Sequence, residues 1–325
     1  GSRSRAADDD PDVWDSGKVM SRESAHVPYG GPALRSDQTY YWSARTWDAD
    51  DTPSDLSDVA TFDMGLLDSA DWVARWIGTD ARISAPLLRK EFQIDGEMKR
   101  ARAYVSGLGY AEITVNGERV GDHVLDPATT YYDNIHALDI ASRVLYVTHD
   151  VTALLTPGAN VIGVMLGNGW YSADDDDPPG RTAYADRPIL LLQLNIELVD
   201  GRSIHVVSDE TWRASAGPIT ANDYAGGEEY DARLEQPGWD CVAFDDAAWL
   251  AADPADAPSG RLVAQSLEPT RIVEKLRPTR MLDSAAGGVI FDMGQHFSGW
   301  VQLRAQGRRG TKLTLCHAGR VNYDT

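Results

Sequence analysis

Hydrophobic and polar residues alternate along most of the chain with a period of two, which is the pattern of a half-buried β-strand. The clearest example predicts a strand over 39–48, with Tyr40 and Trp42 on the same face. An acidic turn follows, and a second strand is predicted over 59–64. The N-terminal part of the chain is therefore expected to be β-structure.

Residues 11–64 match the later strands of a fibronectin type III sandwich, and we expect a partial domain of that kind. Half a sandwich leaves strand edges unpaired, so the chain is either cut at its N-terminus or borrows strands from elsewhere. Residues 65–85 are predicted to be a packed linker. Trp72 and Trp76 within it are spaced to share one face of a single helical turn.

A β-sandwich is predicted over 86–262. Asn116-Gly117 and Asp200-Gly201 are each flanked by alternating runs, which predicts two hairpins with type I′ turns. The apolar run 160–166 predicts a central strand. Because strands do not alternate with helices, a Rossmann fold or a parallel barrel is excluded.

The last predicted domain, 263–325, begins a further β-sandwich with strands at 289–293, 300–305 and 312–317. The predicted fold class is therefore all-β, with consecutive β-sandwiches.

The amino-acid composition limits the classes of molecule that the chain is expected to bind. The chain has 50 acidic and 30 basic residues and a net charge of −20, which argues against nucleic acid because phosphate binding relies on clustered Lys and Arg. The sequence contains no run of about 18 apolar residues, so no membrane-spanning helix is predicted. No apolar segment of a signal peptide is present, so secreted and cytoplasmic locations both stay open. Cys241 and Cys316 fall in different predicted domains and are expected to be free thiols.

Aromatic usage is uneven, with 10 Trp and 13 Tyr against 5 Phe. Trp and Tyr combine an apolar face with a polar atom, which suits sugar binding. Packing in sandwich cores explains the same composition, so both interpretations stay open.

Seven stretches together resemble the front part of bacterial α-L-rhamnosidases of glycoside hydrolase family 78. They are VWDSGKV at 13–19, GLLD at 65–68 with WVARWIG at 72–78, AEITVNG at 111–117, LGNGWY at 166–171, EYDAR at 229–233, PGWD at 237–240 and FDMGQ at 291–295. They occur in the family's order and span nearly the whole chain.

The resemblance implies a fibronectin-like domain, a jelly-roll rhamnose-binding module and a connecting β-sandwich, followed by a catalytic (α/α)6 barrel. It places the acid and base of an inverting glycosidase in that barrel, so we expect no catalytic residue in this chain and no activity from it alone. Acidic neighbours such as Glu228-Glu229 and Asp245-Asp246 are expected to be surface charges, because adjacent residues of a strand point to opposite faces.

The resemblance also implies a sugar site. Asp133 and Asn134 match the Asp-Asn pair that contacts rhamnose and a calcium ion in the family's binding module. Ca²⁺ takes about 6–8 oxygen ligands, and vicinal sugar hydroxyls can supply two of them. The expected partners are L-rhamnose or rhamnose-containing glycans and the catalytic part of the same enzyme.

Aromatic residues are predicted to complete this site. Tyr131, Tyr132, Trp170 or Tyr184 can stack on the apolar face of a deoxy sugar. Pro188 lies in a segment that matches a second wall of the family's site.

Other interpretations stay open. Asp133 and Asn134 can form an ordinary Asx turn. The acidic run 174–177 is either a second cation site or a solvated loop. The seven histidines lack the spacing of a zinc site, so none is predicted. The whole chain can also brace the enzyme without binding a ligand, or serve another polysaccharide-degrading enzyme.

Overall fold

A computed structural model describes residues 2–23, 25–79, 83–133, 141–172, 184, 187–223, 226–284 and 287–319. These residues form two compact units, Gly1–Pro269 and Thr270–Thr325. The helices are α1 (Arg3–Ala7) and 3₁₀ turns at Ser69–Asp71, Thr152–Leu154 and Ala232–Leu234. No helix in the described part of the chain is long and apolar enough to cross a membrane.

The strands confirm the all-β prediction. In chain order they are β1 (Thr39–Trp42), β2 (Ala60–Asp63), β3 (Ile77–Gly78), β4 (Pro86–Ile94), β5 (Met98–Leu108), β6 (Tyr110–Val115), β7 (Glu118–Arg119), β8 (Arg143–Asp150), β9 (Gly158–Gly167), β10 (Ile189–Leu198), β11 (Ser203–Val207), β12 (Arg213–Ala216), β13 (Ile219–Asp223), β14 (Gly227–Tyr230), β15 (Leu250–Ala251), β16 (Asp253–Pro254), β17 (Arg261–Ala264), β18 (Arg280–Asp283) and β19 (Val289–Asp292).

Two sheets pack face to face in the larger unit, as the sandwich prediction requires. The first sheet has seven strands in the order β16-β3-β10-β5-β8-β17, with β11 also paired to β10. The second has six strands in the order β15-β12-β4-β9-β6-β7. β17 joins β8 in parallel, whereas the other pairs in these sheets are antiparallel.

The space between the sheets is filled by alternate residues of the central strands. Leu192 and Leu194 of β10 enter it from one sheet, and Ile162 and Val164 of β9 enter it from the other. Each is fully buried, and burial of one such side chain stabilises the fold by about 1.5–3 kcal/mol.

The seven-stranded sheet is buried on its other face as well. Arg102 and Tyr104 of β5 lie on that outer face, and both are buried. Leu66 and Trp72 cover it, with the Trp72 ring 5.1 Å from that of Tyr146. Burial on both faces explains why β10 opens with six consecutive buried residues instead of an alternating pattern.

A polar network joins the N-terminal hairpin to this outer face. The Tyr104 hydroxyl donates to Asp37 Oδ1 at 2.7 Å, and Asn195 Nδ2 donates to Asp37 Oδ2 at 3.1 Å. Arg102 Nη2 donates to Thr39 Oγ1 at 2.7 Å. The segment predicted as a partial fibronectin-like domain is therefore held against the sandwich by partly buried hydrogen bonds.

The strand predicted over 39–48 is shorter in the structure. β1 ends at Trp42, where its pairing with β2 also ends. Beyond that point the Ser57 and Ser54 hydroxyls accept from the backbone N–H groups of Ala44 and Thr46. Side-chain acceptors here alternate with backbone bonds from Ser57 N to Ala44 O and from Ser54 N to Thr46 O, so the regular strand does not continue.

Leu66 and Trp76 of the predicted linker are buried, but the helical pairing of Trp72 and Trp76 is wrong. The 3₁₀ turn ends at Asp71, and Trp72 is already extended. The following backbone pairs with the sheet instead, because Arg75 N donates to Ser208 O at 2.9 Å.

The two predicted hairpins differ in their turns. Asn116 and Gly117 have φ of 52° and 82°, which confirms the type I′ turn. In the second hairpin only Gly201 has positive φ, so a type I′ turn at Asp200 is wrong. The turn is longer there, with Gly201 N donating to Leu198 O at 3.0 Å, and Asp200 instead accepts from Arg202 N at 2.9 Å.

The second unit contains the hairpin of β18 and β19, which confirms the strand predicted near 289–293. The strands predicted at 300–305 and 312–317 are wrong, because those residues form no strand. Trp300, Leu303 and Leu315 are exposed. An alternating pattern gives a strand only where a neighbouring strand supplies hydrogen bonds, and the described residues supply none there.

Candidate sugar-binding site

The loop over 130–133 is part of the long connection between β7 and β8 and is anchored along its backbone. Arg143 N donates to Tyr131 O at 2.9 Å, and Gly260 N donates to Tyr132 O at 2.9 Å. The Thr130 hydroxyl donates to Arg143 O at 2.5 Å. Residues that start β8 and precede β17 therefore fix the direction in which this loop presents its side chains.

Asp133 is half-buried at the end of this loop. Its Oδ1 accepts a hydrogen bond from Ser259 N at 2.5 Å. This backbone bond orients the carboxylate. Asn134, the second predicted ligand, lies outside the described residues.

The two tyrosines of the loop point in opposite directions. Tyr131 is 46% exposed, whereas Tyr132 is fully buried. The Tyr132 ring packs edge-on against Tyr171 at 5.1 Å and Tyr184 at 5.0 Å. The expectation that Tyr132 can stack on a sugar is therefore wrong, since adjacent residues in extended backbone face opposite sides.

Tyr184 is half-buried beside the loop and stacks parallel to Tyr171 at 6.2 Å. Burial raises the pKa of its phenol, and the nearby Tyr131 and Asp133 raise that pKa further. Tyr184 is therefore near enough to Asp133 and Tyr131 for both to influence its ionisation.

Trp170 lies in the turn after β9 and is 42% exposed. The turn is held by Asn222, whose Oδ1 accepts from Asn168 N at 2.7 Å. Gly169 has φ of +53°, and a Cβ at this position would lie 2.9 Å from the Tyr110 ring, so a glycine is required. Tyr171, which follows Trp170, packs in the cluster formed by Tyr132, Tyr171 and Tyr184. Trp170 therefore lies at the edge of this tyrosine cluster.

Pro188 is buried immediately before β10, so its ring does not face solvent. The neighbouring Arg187 donates to the backbone oxygens of Thr79 and Pro254 and thereby ties this segment to β3 and β16. The acidic run 174–177 lies outside the described residues.

The adjacent acidic pairs have structural partners or lie on the surface. Asp246 pairs with the buried guanidinium of Arg89, and Asp245 Oδ1 accepts from Ala247 N at 3.1 Å. Glu228 and Glu229 are exposed on β14.

A second group of polar residues lies away from this loop. His123, Asp126 and His149 bring their donor atoms within 4.8 Å of one another. Burial, with a smaller effect of His123, lowers the pKa of His149 to about 4, so its imidazole is neutral at pH 7. The His-x-x-Asp spacing of 123 and 126 was visible in the sequence, but the third residue, on β8, is brought in only by the fold.

Models of known protein families match most of the chain. The model of the α-L-rhamnosidase N-terminal domain matches residues 96–274, which is more than half of the chain. The chain belongs to the α-L-rhamnosidase family. Two further models match the chain, a Rha78A-like N-terminal immunoglobulin domain over 3–68 and a bacterial α-L-rhamnosidase concanavalin-like domain over 283–325.

Individual rhamnosidases match almost the full length of this chain. An α-L-rhamnosidase of Formosa agariphila is 34% identical over 94% of the chain and 34% of its own length. The structure of α-L-rhamnosidase from Dictyoglumus thermophilum superposes with a TM-score of 0.81 at 37% identity, covering 92% of this chain and 34% of that one. The Streptomyces avermitilis α-L-rhamnosidase, solved in complex with L-rhamnose, gives a TM-score of 0.81 at 26% identity over 90% of this chain and 44% of its own. The chain thus spans about a third of the length of the first of these rhamnosidases.

Proposed function

We propose that this chain is the sugar-binding front part of an α-L-rhamnosidase that removes terminal α-L-rhamnose from glycosides or polysaccharides with inversion. The observation that carries the proposal is the anchored loop 130–133, which presents an oriented carboxylate beside exposed aromatic surface. Such loops at the end of a rigid sandwich are where ligand-binding residues concentrate.

Calcium fits the chemistry of this loop. Asp133 Oδ1 is held by Ser259 N, and Oδ2 of the same carboxylate can serve as a hard oxygen ligand. The Asn134 amide, water and two vicinal hydroxyls of the sugar would provide further oxygens. When bound, the ion supplies a positive charge that holds those hydroxyls in a fixed orientation.

The aromatic residues fit a deoxy sugar. L-rhamnose carries a methyl group in place of a hydroxymethyl group, so one edge of its ring is apolar. Tyr131 and Trp170 expose nearly half of their surface, and the half-buried Tyr184 is held by Tyr132 and Tyr171. Rings fixed in this way lose little side-chain freedom when a sugar stacks on them.

The reaction itself is assigned to another part of the enzyme. Inverting hydrolysis needs an acid and a base about 6.5–9.5 Å apart across the sugar. Asp246 is engaged by Arg89, and the family resemblance assigns both catalytic groups to a helical barrel. We therefore expect no hydrolysis of an aryl rhamnoside by this chain alone. Turnover that co-purifies with the chain through several columns would contradict this assignment.

Calorimetry tests the binding role. L-rhamnose is titrated into the chain in millimolar CaCl₂ and, separately, in excess chelator. We expect heat of binding only with calcium, loss of that heat in Asp133→Ala, and unchanged binding in Asp58→Ala, which removes an exposed aspartate of the N-terminal segment 11–64.

Each alternative has its own outcome in the same experiment. If millimolar rhamnose gives no heat of binding with calcium present, the result favours the alternative in which the sandwiches only brace the enzyme and bind no ligand. Heat with a different monosaccharide, and none with rhamnose, favours a module of another polysaccharide-degrading enzyme.

A further inference from the structure

A surface cleft in the larger unit lies between β8 and the segment that follows β7. It has about 360 Å³ of empty space, including open solvent. Apolar side chains from β5 and β6 form its floor, and its polar residues include Glu112, Arg119, His123, Asp126 and His149. Three of these residues belong to one compact cluster.

The His123, Asp126 and His149 donor atoms all lie within 4.8 Å of one another. His123 Nδ1 is 2.8 Å from Asp126 Oδ2, and the two imidazole rings are 5.4 Å apart. Tetrahedral zinc with bonds of about 2.0–2.2 Å places its ligand atoms roughly 3.3 Å apart. The three groups therefore reach this geometry by side-chain rotations, without rearrangement of the strands.

The backbone that carries the cluster is fixed on both sides. His149 belongs to β8, whose last four residues pair with β5, His149 itself opposite Ala103. On the other side, Ala111 N donates to Asp126 O at 2.9 Å, and Arg119 Nη2 donates to His123 O at 2.8 Å. A site on such a support is preorganised, which favours metal binding.

The carboxylate of Asp126 has the support that metal ligands usually have. Gln265 Nε2 donates to its Oδ1 at 3.3 Å, which leaves Oδ2 to face the histidines. Gln265 is itself held, because its Oε1 accepts from Ala128 N at 2.8 Å and its backbone N donates to Tyr146 O at 2.9 Å. Such outer hydrogen bonds orient ligating carboxylates and strengthen metal binding.

We propose that His123, Asp126 and His149 form a site for a divalent transition metal ion, specifically Zn²⁺, with water in the fourth position. Two imidazole nitrogens and one carboxylate oxygen suit zinc, cobalt or nickel better than calcium or magnesium, which prefer oxygen alone. When zinc binds His123 Nδ1, the proton of the neutral ring resides on Nε2, so the hydrogen bond to Asp126 is replaced by two metal bonds.

This site is separate from the loop 130–133, and its ligand chemistry differs. It ties the segment over 123–126 to β8. The loop 130–133 begins four residues after this segment. Zinc would therefore fix the backbone that leads into the loop, and it would not contact the sugar.

The test uses the whole chain after treatment with chelator. Zn²⁺ is titrated by calorimetry in a large excess of Ca²⁺, which occupies the many acidic surface sites. Co²⁺ is added separately, because a tetrahedral site containing nitrogen ligands gives intense visible absorption. We expect one equivalent of each metal, and a loss of affinity of about tenfold or more in His149→Gln and Asp126→Asn.

His205→Gln is the matched control, because His205 bonds to Asn195 on β10, away from the cluster. Wild-type affinity in that variant, together with loss in His149→Gln, supports the site. The proposal is overturned if wild-type chain gives no visible Co²⁺ band, or if His149→Gln binds Zn²⁺ as tightly as wild type. Circular dichroism establishes that each variant is folded, and the wild-type Co²⁺ spectrum does not depend on any variant.

Discussion

Asp37 is expected to be a main stabilising contact between the N-terminal segment and the sandwich. Its carboxylate accepts from the Tyr104 hydroxyl at 2.7 Å and from Asn195 Nδ2 at 3.1 Å, and it pairs with Arg100 at 3.0 Å. Tyr104 is fully buried, so Asp37→Ala leaves its hydroxyl without this acceptor.

The cost of Asp37→Ala has two main parts. A buried hydroxyl left unsatisfied costs about 1–3 kcal/mol. Asp37 also has φ of 57°, where aspartate is tolerated and alanine costs about 1–2 kcal/mol. Arg100 adds little, because it is partly exposed and retains the backbone oxygen of Asp37 at 2.8 Å. The free energy of unfolding should therefore fall by about 2–5 kcal/mol.

A double-mutant cycle with Tyr104→Phe isolates the hydrogen bond. The backbone strain of alanine is present in both Asp37→Ala and the double variant, so it cancels in the cycle. Urea denaturation at pH 7 should give a coupling energy of about 1–2 kcal/mol. A coupling below about 0.5 kcal/mol would refute the assignment of this contact as stabilising.

Three further predictions concern the sandwich. Asp246→Ala should lower the free energy of unfolding by about 3 kcal/mol in urea denaturation, because it leaves the buried Arg89 charge poorly compensated, and adding Arg89→Met should recover part of that loss. Trp212→Phe should cost about 2–3 kcal/mol by the same assay, since it opens a cavity and removes the Nε1 donor to Val207 O at 2.7 Å; a cost below about 1 kcal/mol would contradict this. Burial raises the pKa of Tyr132 to about 12, so above pH 10 the unfolded chain loses a proton that the folded chain keeps, and stability falls. Tyr132→Phe should therefore lose less stability than wild type between pH 10 and about 12, and equal slopes would refute this.

Sequence reasoning succeeded where local chemistry decides the structure. Asn116 and Gly117 adopt the two positive φ values that a tight hairpin needs, and few other residue pairs can do so. The apolar run over 160–166 lies within β9, where nearly all of its residues are buried.

Predictions from the sequence are wrong where a neighbouring strand determines whether a segment forms a strand. Residues 300–305 alternate as a strand does, yet they have no strand to pair with in the described part of the second unit. Trp72 and Trp76 have helical spacing, but the extended backbone between them forms hydrogen bonds with the sheet. These bonds stabilise the extended conformation more than a single helical turn would be stabilised.

The candidate sites divide in a similar way. The family resemblance predicts Asp133, and stacking on a deoxy sugar predicts Tyr184; in the structure the charge of Asp133 contributes to the raised pKa of Tyr184. The burial of Tyr132 was not predicted, since the chain alone does not say which face of an extended loop is covered. His149 joins His123 only because β8 lies beside the segment after β7, a proximity that no sequence spacing encodes.

A crystal structure of the chain grown with CaCl₂ and L-rhamnose tests the central claim most directly. The account predicts a calcium ion about 2.3–2.6 Å from a carboxylate oxygen of Asp133, with rhamnose hydroxyls on the same ion and the sugar ring against Tyr131, Trp170 or Tyr184. Rhamnose bound elsewhere, or no ion at Asp133 at saturating calcium and rhamnose, would contradict it.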